Sequence, residues 1–507
     1  VVKRKISFVD KADILLTKLI IRGGFDVLFN SFSFILCFLP ITFVIFFILG
    51  RYAPNRYATL WLVIASFLFY GYWDIQYIPL LFISILFNYY MGKKLYNTHS
   101  KTWLSLGIIV NLSLLGYFKY MNFFLDNINT LAGTNLFDMP HVILPLGISF
   151  FTFTQIAYLI DTYRKEAIPN SFVVYAEFVT IFPHLIAGPI ISYKDMLPQF
   201  INPRTFIPDY KNIGMGLSLF SMGLFKKVVI ADSLSPVVEK VFTHTDKLTF
   251  LEAWIGAISY TFQLYFDFSG YSEMAIGLGL LFNLKLPVNF NSPYQATSII
   301  DFWRRWHMTL GLWVKDYLYI PLGGNRHGEW NKMRNLLVSM FLIGLWHGAG
   351  WTFIIWGTLH GIFLMINHQW RRLKIALPKF ANWSITFLCV TFAWVFFRAQ
   401  SVHDAYKVIF CMLDITNFAI PDHGFAAKLF ANTGIASIKW SISSSLGTSL
   451  LELFILFAAL LLLKNPIVLQ EKIKPKYTWL LLTCILFLIS MYYIGTFGTG
   501  EFLYFQF

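Results

Sequence analysis

The feature that most constrains this chain is its long apolar runs, which recur from near its beginning to near its end. Residues 32–49, 103–121 and 478–497 are examples. As helices, such runs are about long enough to cross a hydrocarbon core about 30 Å thick. Charged residues make up 13% of the 507, about half the usual share in a soluble domain. Because a helix satisfies its own backbone hydrogen bonds in lipid, the sequence predicts an all-α polytopic integral membrane protein.

The apolar runs also give the order of candidate membrane spans. We predict spans near 32–49, 58–73, 77–91, 103–121, 143–160, 254–282, 336–367, 383–397, 447–463 and 478–497. The run 336–367 is long enough for two elements, whereas 172–191 and 213–230 look too broken for simple spans. Pro183 and Pro189 interrupt the first of these two, which predicts a re-entrant or kinked helix buried in protein.

Basic residues in the short loops predict how the chain is oriented. The net charge is +14, a value that in a soluble protein would suggest nucleic-acid binding. In a membrane protein the positive-inside rule explains it, so we expect membrane lipids and no nucleic acid as partners. The rule places 51–57, 92–102 and 161–171 in the cytoplasm, and 122–142, which has no Lys or Arg, outside.

Residues 1–26 conflict with this orientation. They hold six basic residues and three aspartates, and they would lie on the outer side. They are expected to be either an interfacial amphipathic helix or an N-terminal extension that is not part of the natural product, and the second interpretation is favoured. Residues 27–507 are predicted to form a single membrane domain.

Several common catalytic motifs are absent from the sequence. It contains neither a GxxxxGK[ST] phosphate-binding loop nor a GxSxG nucleophile elbow. None of the eleven histidines is paired as HxxxH or HExxH, so no metal site is expected. The four cysteines are scattered in or beside apolar runs, which predicts small core hydrophobes and no disulfide framework. These cysteines are Cys37, Cys389, Cys411 and Cys484.

His347 is the first candidate functional residue, because it lies in the apolar stretch RNLLVSMFLIGLWHGAGWTFIIWGTLHGIF. An ionisable side chain deep in a membrane is costly unless it faces a protein-lined cavity. The glycines on either side would let a backbone or a substrate chain approach it, and Trp346 and Trp351 would wall the site. The alternative is a neutral imidazole that bonds to a neighbouring helix. His360, thirteen residues on, is expected to pack or bond within the bundle.

His307 is the second candidate, in the charged and aromatic stretch DFWRRWHMTLGLWVKDYLYIPLGGNR. Guanidinium groups beside aromatic planes suit phosphates and a stacked purine. The alternative is a cytoplasmic basic collar with tryptophan anchors at the headgroup level. Spacing alone supports the two interpretations equally. Under the first, the ligand-binding residues would be Trp303, Arg304, Arg305, Trp306 and Lys315.

The stretch around His307, followed in the chain by the stretch around His347, resembles the central signature of the membrane-bound O-acyltransferase (MBOAT) family. More narrowly, they are similar to the bacterial branch that holds alginate O-acetyltransferase, peptidoglycan O-acetyltransferase and the teichoic-acid D-alanyl transfer protein. Supporting stretches are LPLGISFFTFTQIAYLIDTYR, FPHLIAGPI, GLFKKVVIAD, FQLYFDFSGYSEMAIGLG and the ending FLYFQF. The resemblance extends over nearly all of residues 28–507.

The resemblance implies a fold and a set of site residues. The fold would be a ring of roughly ten or more tilted transmembrane helices, with re-entrant helices, around a central tunnel. His347 matches the active-site histidine of the family, and His307 matches the second histidine of the signature, to which we assign a supporting role. Four residues in matching motifs would orient the histidine or line the tunnel. These are Gln155, Asp267, Ser269 and Tyr271.

The resemblance also implies an activity. Acetyl-CoA would be the acyl donor, with no tightly bound cofactor, and His347 would act as the base, since a buried neutral imidazole can accept a proton. The acetyl group would cross a bacterial cytoplasmic membrane toward an alginate-like polymer or peptidoglycan, through an extracytoplasmic acetyltransferase partner. Transfer of a D-alanyl or lipid acyl group is the alternative within the family. A secondary transporter or a non-enzymatic scaffold is the alternative outside it, although the transporter should show an internal repeat and more intramembrane acids.

Overall fold

The computed structural model describes residues 28–140, 142–418, 420–421, 437–438, 446–462, 477–500 and 502–503. Within these ranges the chain is helical, except for turns, connecting segments and two strands of two residues, β1 (Ile420–Pro421) and β2 (Ser437–Ile438), which pair in parallel. The predicted all-α membrane class is confirmed. Residues 1–26 lie outside the described ranges, so their assignment stays a prediction.

The first half of the chain forms helices of very unequal length. A π-helix at Phe34–Phe38 leads into the first α-helix, and another at Gly116–Tyr120 joins α4 to α5. The helices are α1 Leu39–Tyr52, α2 Asn55–Trp73, α3 Ile78–Thr98, α4 Lys101–Leu115, α5 Met121–Ala132, α6 Ile148–Tyr163, α7 Phe172–Thr180, α8 Phe182–Leu185 and α9 Tyr193–Phe200.

The second half contains the two stretches singled out in the sequence. Further π-helices lie at Lys226–Ala231 and Lys315–Tyr319. The helices are α10 Tyr210–Phe225, α11 Asp232–Thr243, α12 Phe250–Leu281, α13 Ile299–Trp303, α14 Met308–Val314, α15 Gly328–His347, α16 Trp351–Leu373, α17 Lys379–Arg398, α18 Val402–Leu413, α19 Leu446–Leu462 and α20 Tyr477–Phe497. The predicted division of 336–367 into two elements is confirmed by α15 and α16.

Six continuous helical stretches in the described ranges are long and apolar enough to cross a membrane. They are Phe34–Tyr52, Ile75–Thr98, Lys101–Ala132, Tyr210–Thr243, Lys379–Arg398 and Tyr477–Phe497. Large apolar side chains on them are exposed, Ile41 and Leu488 among them, as expected of a lipid-facing surface. Other predicted spans form helices inside the protein. The 16-residue α6 is almost wholly buried, for example.

The prediction for 213–230 was wrong, because this segment belongs to the continuous helical stretch Tyr210–Thr243. Lys226 and Lys227 lie in this segment. The structure places them in the π-helix that joins α10 to α11, where Lys226 pairs with Glu273 and Lys227 pairs with Asp267 at 2.8 Å. Because the acids of α12 neutralise both lysines, the helix continues through them.

The prediction for 172–191 is confirmed as a broken segment buried in protein. Helix α7 ends at Thr180 and the four-residue α8 begins at Phe182, with Pro183 in its first turn. The freed backbone N–H of Phe182 donates to the Ser66 hydroxyl at 3.1 Å. Irregular backbone of this kind is tolerated at membrane depth only when protein surrounds it and satisfies its polar groups.

Helix α12 is the centre of the molecule, and every residue from Ser259 to Leu281 is buried. It begins with a capping box, in which the Thr249 side chain and Glu252 bond to each other's backbone N–H groups. It packs closely on α10 because a Cβ on Gly270 would overlap the carbonyl oxygen of Gly223. Small residues at such crossings let two membrane helices approach.

The interpretation of the cysteines as core residues was wrong for two of the four. Cys37 and Cys484 are exposed, whereas Cys389 and Cys411 are partly buried. All four are free thiols. Apolar context did not distinguish the core face of a helix from its lipid face, because both faces are apolar in a membrane protein.

Candidate active site

His347 is the last residue of α15, and the chain turns there to run back as α16. The turn is tight because a Cβ on Gly344 would overlap the carbonyl oxygen of Phe353 in α16. His347 is 3% exposed, and aromatic rings surround its imidazole. The ring centroids of Trp346, Trp356 and Phe397 lie 4.9, 5.1 and 5.2 Å from that of His347.

The end of α15 is held by side chains from the π-helix Gly116–Tyr120. The Lys119 ammonium donates to the carbonyl oxygens of Trp346 and His347, the latter at 3.2 Å. The Tyr120 hydroxyl donates to the carbonyl oxygen of Leu345 at 2.9 Å. The helix that carries His347 is therefore fixed at its terminus by a second helix.

His307 lies at the start of α14 in the left-handed backbone region, with φ of 44°, a conformation that is uncommon outside glycine. Its Nδ1 is 3.0 Å from the Oδ1 of Asn289, which also accepts a hydrogen bond from the Thr309 hydroxyl at 2.9 Å. Since that oxygen can only accept, Nδ1 carries the proton and Nε2 has the lone pair. Nε2 is buried and has no hydrogen-bond partner among the described residues.

Trp346 lies between the two histidines. Its ring is 4.9 Å from that of His347 and 6.4 Å from that of His307. It stacks on Phe153 at 5.1 Å, and Phe153 stacks in turn on Trp313 of α14 at 3.9 Å. The buried indole N–H of Trp346 has no acceptor in the described part of the chain. The predicted position of Trp346 as a wall of the site agrees with these contacts.

His360 bonds within the bundle, as its context suggests. The indole N–H of Trp303 donates to its Nδ1 at 3.2 Å. Trp356, one turn before it on α16, separates it from His347, with ring centroids 5.0 Å and 5.1 Å away. His360 thus supports the aromatic wall of the site from behind.

A cleft of about 380 Å³ lies between α14 and the α15–α16 pair. Trp303, Arg304 and Lys315 line it, as do Ser339 and Ile343 on α15. Ser339, Ile343 and His347 are spaced four residues apart, so they share one face of the helix. The inner wall of the cleft therefore leads along α15 to the histidine.

The π-helix Lys315–Tyr319 follows α14, and its first residue, Lys315, lines this cleft, while the residues after it contact the loop that follows α6. Arg164 in that loop donates to the carbonyl oxygen of Asp316 at 3.2 Å and lies 5.7 Å from the ring centroid of Tyr317. The positive-inside rule assigns residues 161–171 to the cytoplasm. The end of this cleft at Lys315 therefore lies on the predicted cytoplasmic side, and so do Asp316 and Tyr317, which line a cleft on the opposite side of α14.

A second cleft of about 380 Å³ flanks the opposite side of α14. Lys194, Lys285 and Thr309 are among its lining residues. Lys194 is paired with Glu166 at 2.7 Å, and this hydrogen bond lowers the pKa of Glu166. Among the described residues that line this cleft, Lys285 is the cation without an ion pair, so it is available to an anionic ligand.

Arg305 and Trp306 lie apart from the first cleft, contrary to prediction. Arg305 pairs with Asp301 at 2.9 Å and donates to the carbonyl oxygen of Asn291 at 3.3 Å. Trp306 is 1% exposed and packs in the aromatic core, 5.0 Å from Trp394. Adjacent residues of a helix point to different sides of it, so consecutive charged and aromatic residues do not form one surface.

Asp267 and its neighbours on α12 have partners elsewhere in the chain. Asp267 pairs with Lys227 at 2.8 Å and accepts a hydrogen bond from the backbone N–H of Leu503 at 3.1 Å. Tyr271 stacks on Phe502 at 4.4 Å. Ser269 is buried in the same helix. Asp267 and Tyr271 therefore join α12 to the C-terminal segment.

Gln155 and Trp351 also have other partners. Gln155 donates to the Ser84 hydroxyl at 2.9 Å and accepts from the Tyr175 hydroxyl at 3.3 Å. Trp351 is 56% exposed and donates to Asn127 of α5 at 2.9 Å. The prediction that Trp351 walls the site was wrong. Because α5 belongs to the segment predicted to be outside, Trp351 places the α15–α16 turn toward that side.

Four residues around the site carry no motif in the sequence. Lys119 could have been found from the sequence, because it is a lone lysine inside the apolar run 103–121. Burying an ionisable side chain in the membrane is costly, which is the same argument that singled out His347. Ser339 could have been found by counting back two turns from His347 on one helical face. Asn289 and His368, which lines the first cleft, reach the site only through the tertiary fold.

Comparison with known proteins places the site in a family context. The sequence model described as MBOAT, membrane-bound O-acyltransferase family, matches residues 94–403. A peptidoglycan O-acetyltransferase of Helicobacter pylori is 44% identical over 521 residues, which covers 95% of this chain and 98% of that protein. A probable alginate O-acetylase of Pseudomonas aeruginosa is 43% identical, over 78% of this chain and 76% of that protein.

More distant relatives act on a different polymer. A teichoic acid D-alanyltransferase of Streptococcus thermophilus is 29% identical, over 46% of this chain and 59% of that protein. Lys119, Asn289, His307 and His347 all lie inside the range that the family model matches. The geometry described above therefore belongs to the part of the chain shared with these enzymes.

Proposed function

Because this chain belongs to the membrane-bound O-acyltransferase family, we propose that it moves an acetyl group from cytoplasmic acetyl-CoA across the membrane to O-acetylate an extracytoplasmic polysaccharide. Its family and its relatives make it an O-acyltransferase, and its helices make it a multi-pass membrane protein. The transporter and scaffold alternatives are set aside, since neither involves acyl transfer. The donor, the polymer and the partner are what the proposal adds.

The observation that carries the proposal is the path from a cationic cleft to a buried histidine. Arg304 and Lys315 lie at the cleft that opens on the predicted cytoplasmic side, and Ile343 in its wall is one helical turn from His347. Coenzyme A has charged phosphates at one end and a thioester on a slender arm at the other. The cations would hold the phosphates, and the arm would follow α15 to the histidine.

The chemistry at the inner end is acyl transfer with His347 as the base. The imidazole accepts the proton of an acceptor hydroxyl as its oxygen attacks the carbonyl carbon of the thioester. The C–O bond forms and the C–S bond breaks, and the thiolate of coenzyme A takes the proton from the imidazolium. The products are an acetyl ester and coenzyme A. The site needs no oxidant or further co-reactant for this step.

His307 and Trp346 would assist at the same place. Asn289 holds His307 so that Nε2 is turned into the buried site, and the indole N–H of Trp346 has no acceptor among the described residues. This buried donor would stabilise an oxygen that gains negative charge during attack, whereas the lone pair on His307 Nε2 can only accept a hydrogen bond. We therefore give these two side chains supporting roles beside His347.

The acceptor would approach from the opposite side, where the α15–α16 turn contacts α5. Coenzyme A then leaves to the cytoplasm, so the acetyl group crosses the membrane without its carrier. The immediate acceptor would belong to an extracytoplasmic acetyltransferase partner that completes transfer to the polymer. We place the enzyme in the bacterial cytoplasmic membrane because the donor is made in the cytoplasm.

Peptidoglycan is the polymer that the comparisons favour. The H. pylori enzyme is similar over 95% of this chain, whereas the P. aeruginosa alginate protein is similar over 78%. The similarity to the peptidoglycan enzyme therefore includes a larger share of the regions outside the catalytic signature. An alginate-like polymer is the second choice.

The polymer is tested by deleting the gene and restoring it. We expect mild alkali to release acetate from purified peptidoglycan of the complemented strain and about none from that of the deletion strain. Unchanged acetate from peptidoglycan, with acetate lost from another polysaccharide, would reassign the polymer. Loss of ester-linked D-alanine in place of acetate would support the D-alanyl alternative and contradict acetyl transfer.

A further inference from the structure

The carbonyl groups at the end of α15 are all satisfied, and Lys119 supplies two of the four hydrogen bonds. A helix leaves its last four carbonyls without partners inside the helix. Here the Gly344 carbonyl accepts from the Gly348 N–H, and the Leu345 carbonyl accepts from the Tyr120 hydroxyl. Those of Trp346 and His347 accept from the Lys119 ammonium. Two side chains from another helix, Lys119 and Tyr120, therefore cap the terminus that carries the His347 imidazole.

Lys119 has unusual surroundings for a lysine in an apolar helix. The third hydrogen bond of its ammonium goes to the Ser149 hydroxyl at 3.3 Å, and Lys119 forms no ion pair with a carboxylate in the described ranges. A desolvated cation without a carboxylate is costly. The carbonyl end of α15 offers partial negative charge, so backbone groups take the place of a counter-ion.

The π-helix explains how Lys119 reaches this position. An α-helix through 116–120 would continue the regular rotation of α4. The wider turn of the π segment Gly116–Tyr120 changes the direction in which its own last residues, Lys119 and Tyr120, project. Both Lys119 and Tyr120 then point at the end of α15. Insertions of this kind often occur at functional sites.

We propose that Lys119 is a positioning residue, which fixes the terminus of α15 so that the His347 imidazole is held in place for proton transfer. It touches the backbone of His347 and acts through that residue. This inference rests on the proposed role of His347 as the base. Tyr120 contributes to the same clamp through Leu345, one residue farther from the imidazole.

The test compares Lys119→Met, Lys119→Arg and a matched control, Lys101→Met. Lys101 begins the same continuous helix and is exposed, so the control makes the same substitution away from α15. Methionine removes the donors and the charge at similar length, while arginine restores the donors. The proteins are compared in membrane vesicles at equal amounts of folded protein, with acetyl-CoA as the probe.

We expect Lys119→Met to lower kcat for release of free coenzyme A by at least about 10-fold, with KM for acetyl-CoA within about twofold, since a misplaced base affects the chemical step. Lys119→Arg should recover part of the rate, and Lys101→Met should equal wild type. Hydrogen exchange should become faster for the amides of residues 345–351 in Lys119→Met.

Two outcomes would overturn the inference. If Lys119→Met lowers only the amount of folded protein and leaves kcat unchanged, Lys119 is structural alone. If kcat falls while hydrogen exchange at 345–351 stays the same, Lys119 does not act through the end of α15. Should wild type release no coenzyme A, the proposed function fails, and the exchange comparison still decides whether Lys119 fixes this terminus.

Discussion

At the scale of single residues, the position of a side chain on its helix decides its role more than its neighbours in the sequence do. Arg304 and Arg305 are adjacent, yet the first lines the cleft and the second pairs with Asp301. Trp306, next in the chain, is buried in the core. From its composition this stretch predicted either a ligand site or a basic collar at the headgroup level. The sequence could not show which of these residues line the cleft and which point away from it, because that depends on where α13 ends and α14 begins.

Arg304 provides a direct test of the first cleft as the donor entrance. Arg304→Ala should raise KM for acetyl-CoA by about 5- to 10-fold with little change in kcat, since it removes about 1 kcal/mol of ground-state binding to a phosphate. Initial rates of coenzyme A release across a range of acetyl-CoA concentrations measure both constants.

Two substitutions accompany this measurement. Arg305→Ala should leave KM within about twofold, because its guanidinium lies apart from the cleft. Lys285→Ala tests the second cleft. If KM rises for Lys285→Ala and not for Arg304→Ala, the donor enters on the other side of α14, and the path proposed along α15 is wrong.

At the scale of elements, the described residues include four π-helices, and one of them, Lys226–Ala231, marks a place where the sequence alone misled. Three of them carry lysines, at Lys119, at Lys226 and Lys227, and at Lys315. The segment 213–230 was not predicted as a span, whereas 103–121, which contains Lys119, was. In the structure each buried lysine is accommodated by a partner from another helix, and those partners are distant in sequence. The apolar runs predicted most helices, whereas the lysine partners could be known only from the tertiary fold.

The Lys227–Asp267 pair gives a prediction about helix packing. Both side chains are 2% exposed or less, and removing one partner of a buried pair typically costs about 3–5 kcal/mol. Lys227 also pairs with Asp232 at 2.6 Å, so it would keep one carboxylate and the loss should fall below that range. Asp267→Asn should therefore lower the unfolding temperature of the purified protein clearly. Thermal unfolding in detergent measures this.

The matched comparison is Glu166→Gln, which removes the partner of Lys194 at the surface. There the side chains are 40% and 43% exposed, so the expected loss is below about 1 kcal/mol. Equal shifts for the two variants would show that the buried pair does not hold α12 to the helix Tyr210–Thr243. It would also reopen a role for Asp267 in catalysis.

At the scale of the whole molecule, the two ends of the described chain meet beside α12. The Asn30 side chain donates to the carbonyl oxygen of Gly500 at 3.2 Å, and Leu503 donates to Asp267. Phe29 and Phe502 lie on the ring of Tyr271. The family motifs predicted that Asp267 and Tyr271 matter but assigned them to the tunnel. Contacts between the first and last segments of a 507-residue chain carry no local signal that could have corrected this.

The central claim is that His347 transfers an acetyl group from acetyl-CoA, and inside-out membrane vesicles test it most directly. Wild type, His347→Ala and the exposed control His99→Ala would be given radiolabelled acetyl-CoA at equal protein content, and free coenzyme A and membrane-retained label would be followed. Loss of a general base typically costs 10²–10⁴-fold in rate, roughly. We predict that wild type and His99→Ala release coenzyme A and retain label, and that His347→Ala does neither above background. Equal release by all three proteins would contradict the account.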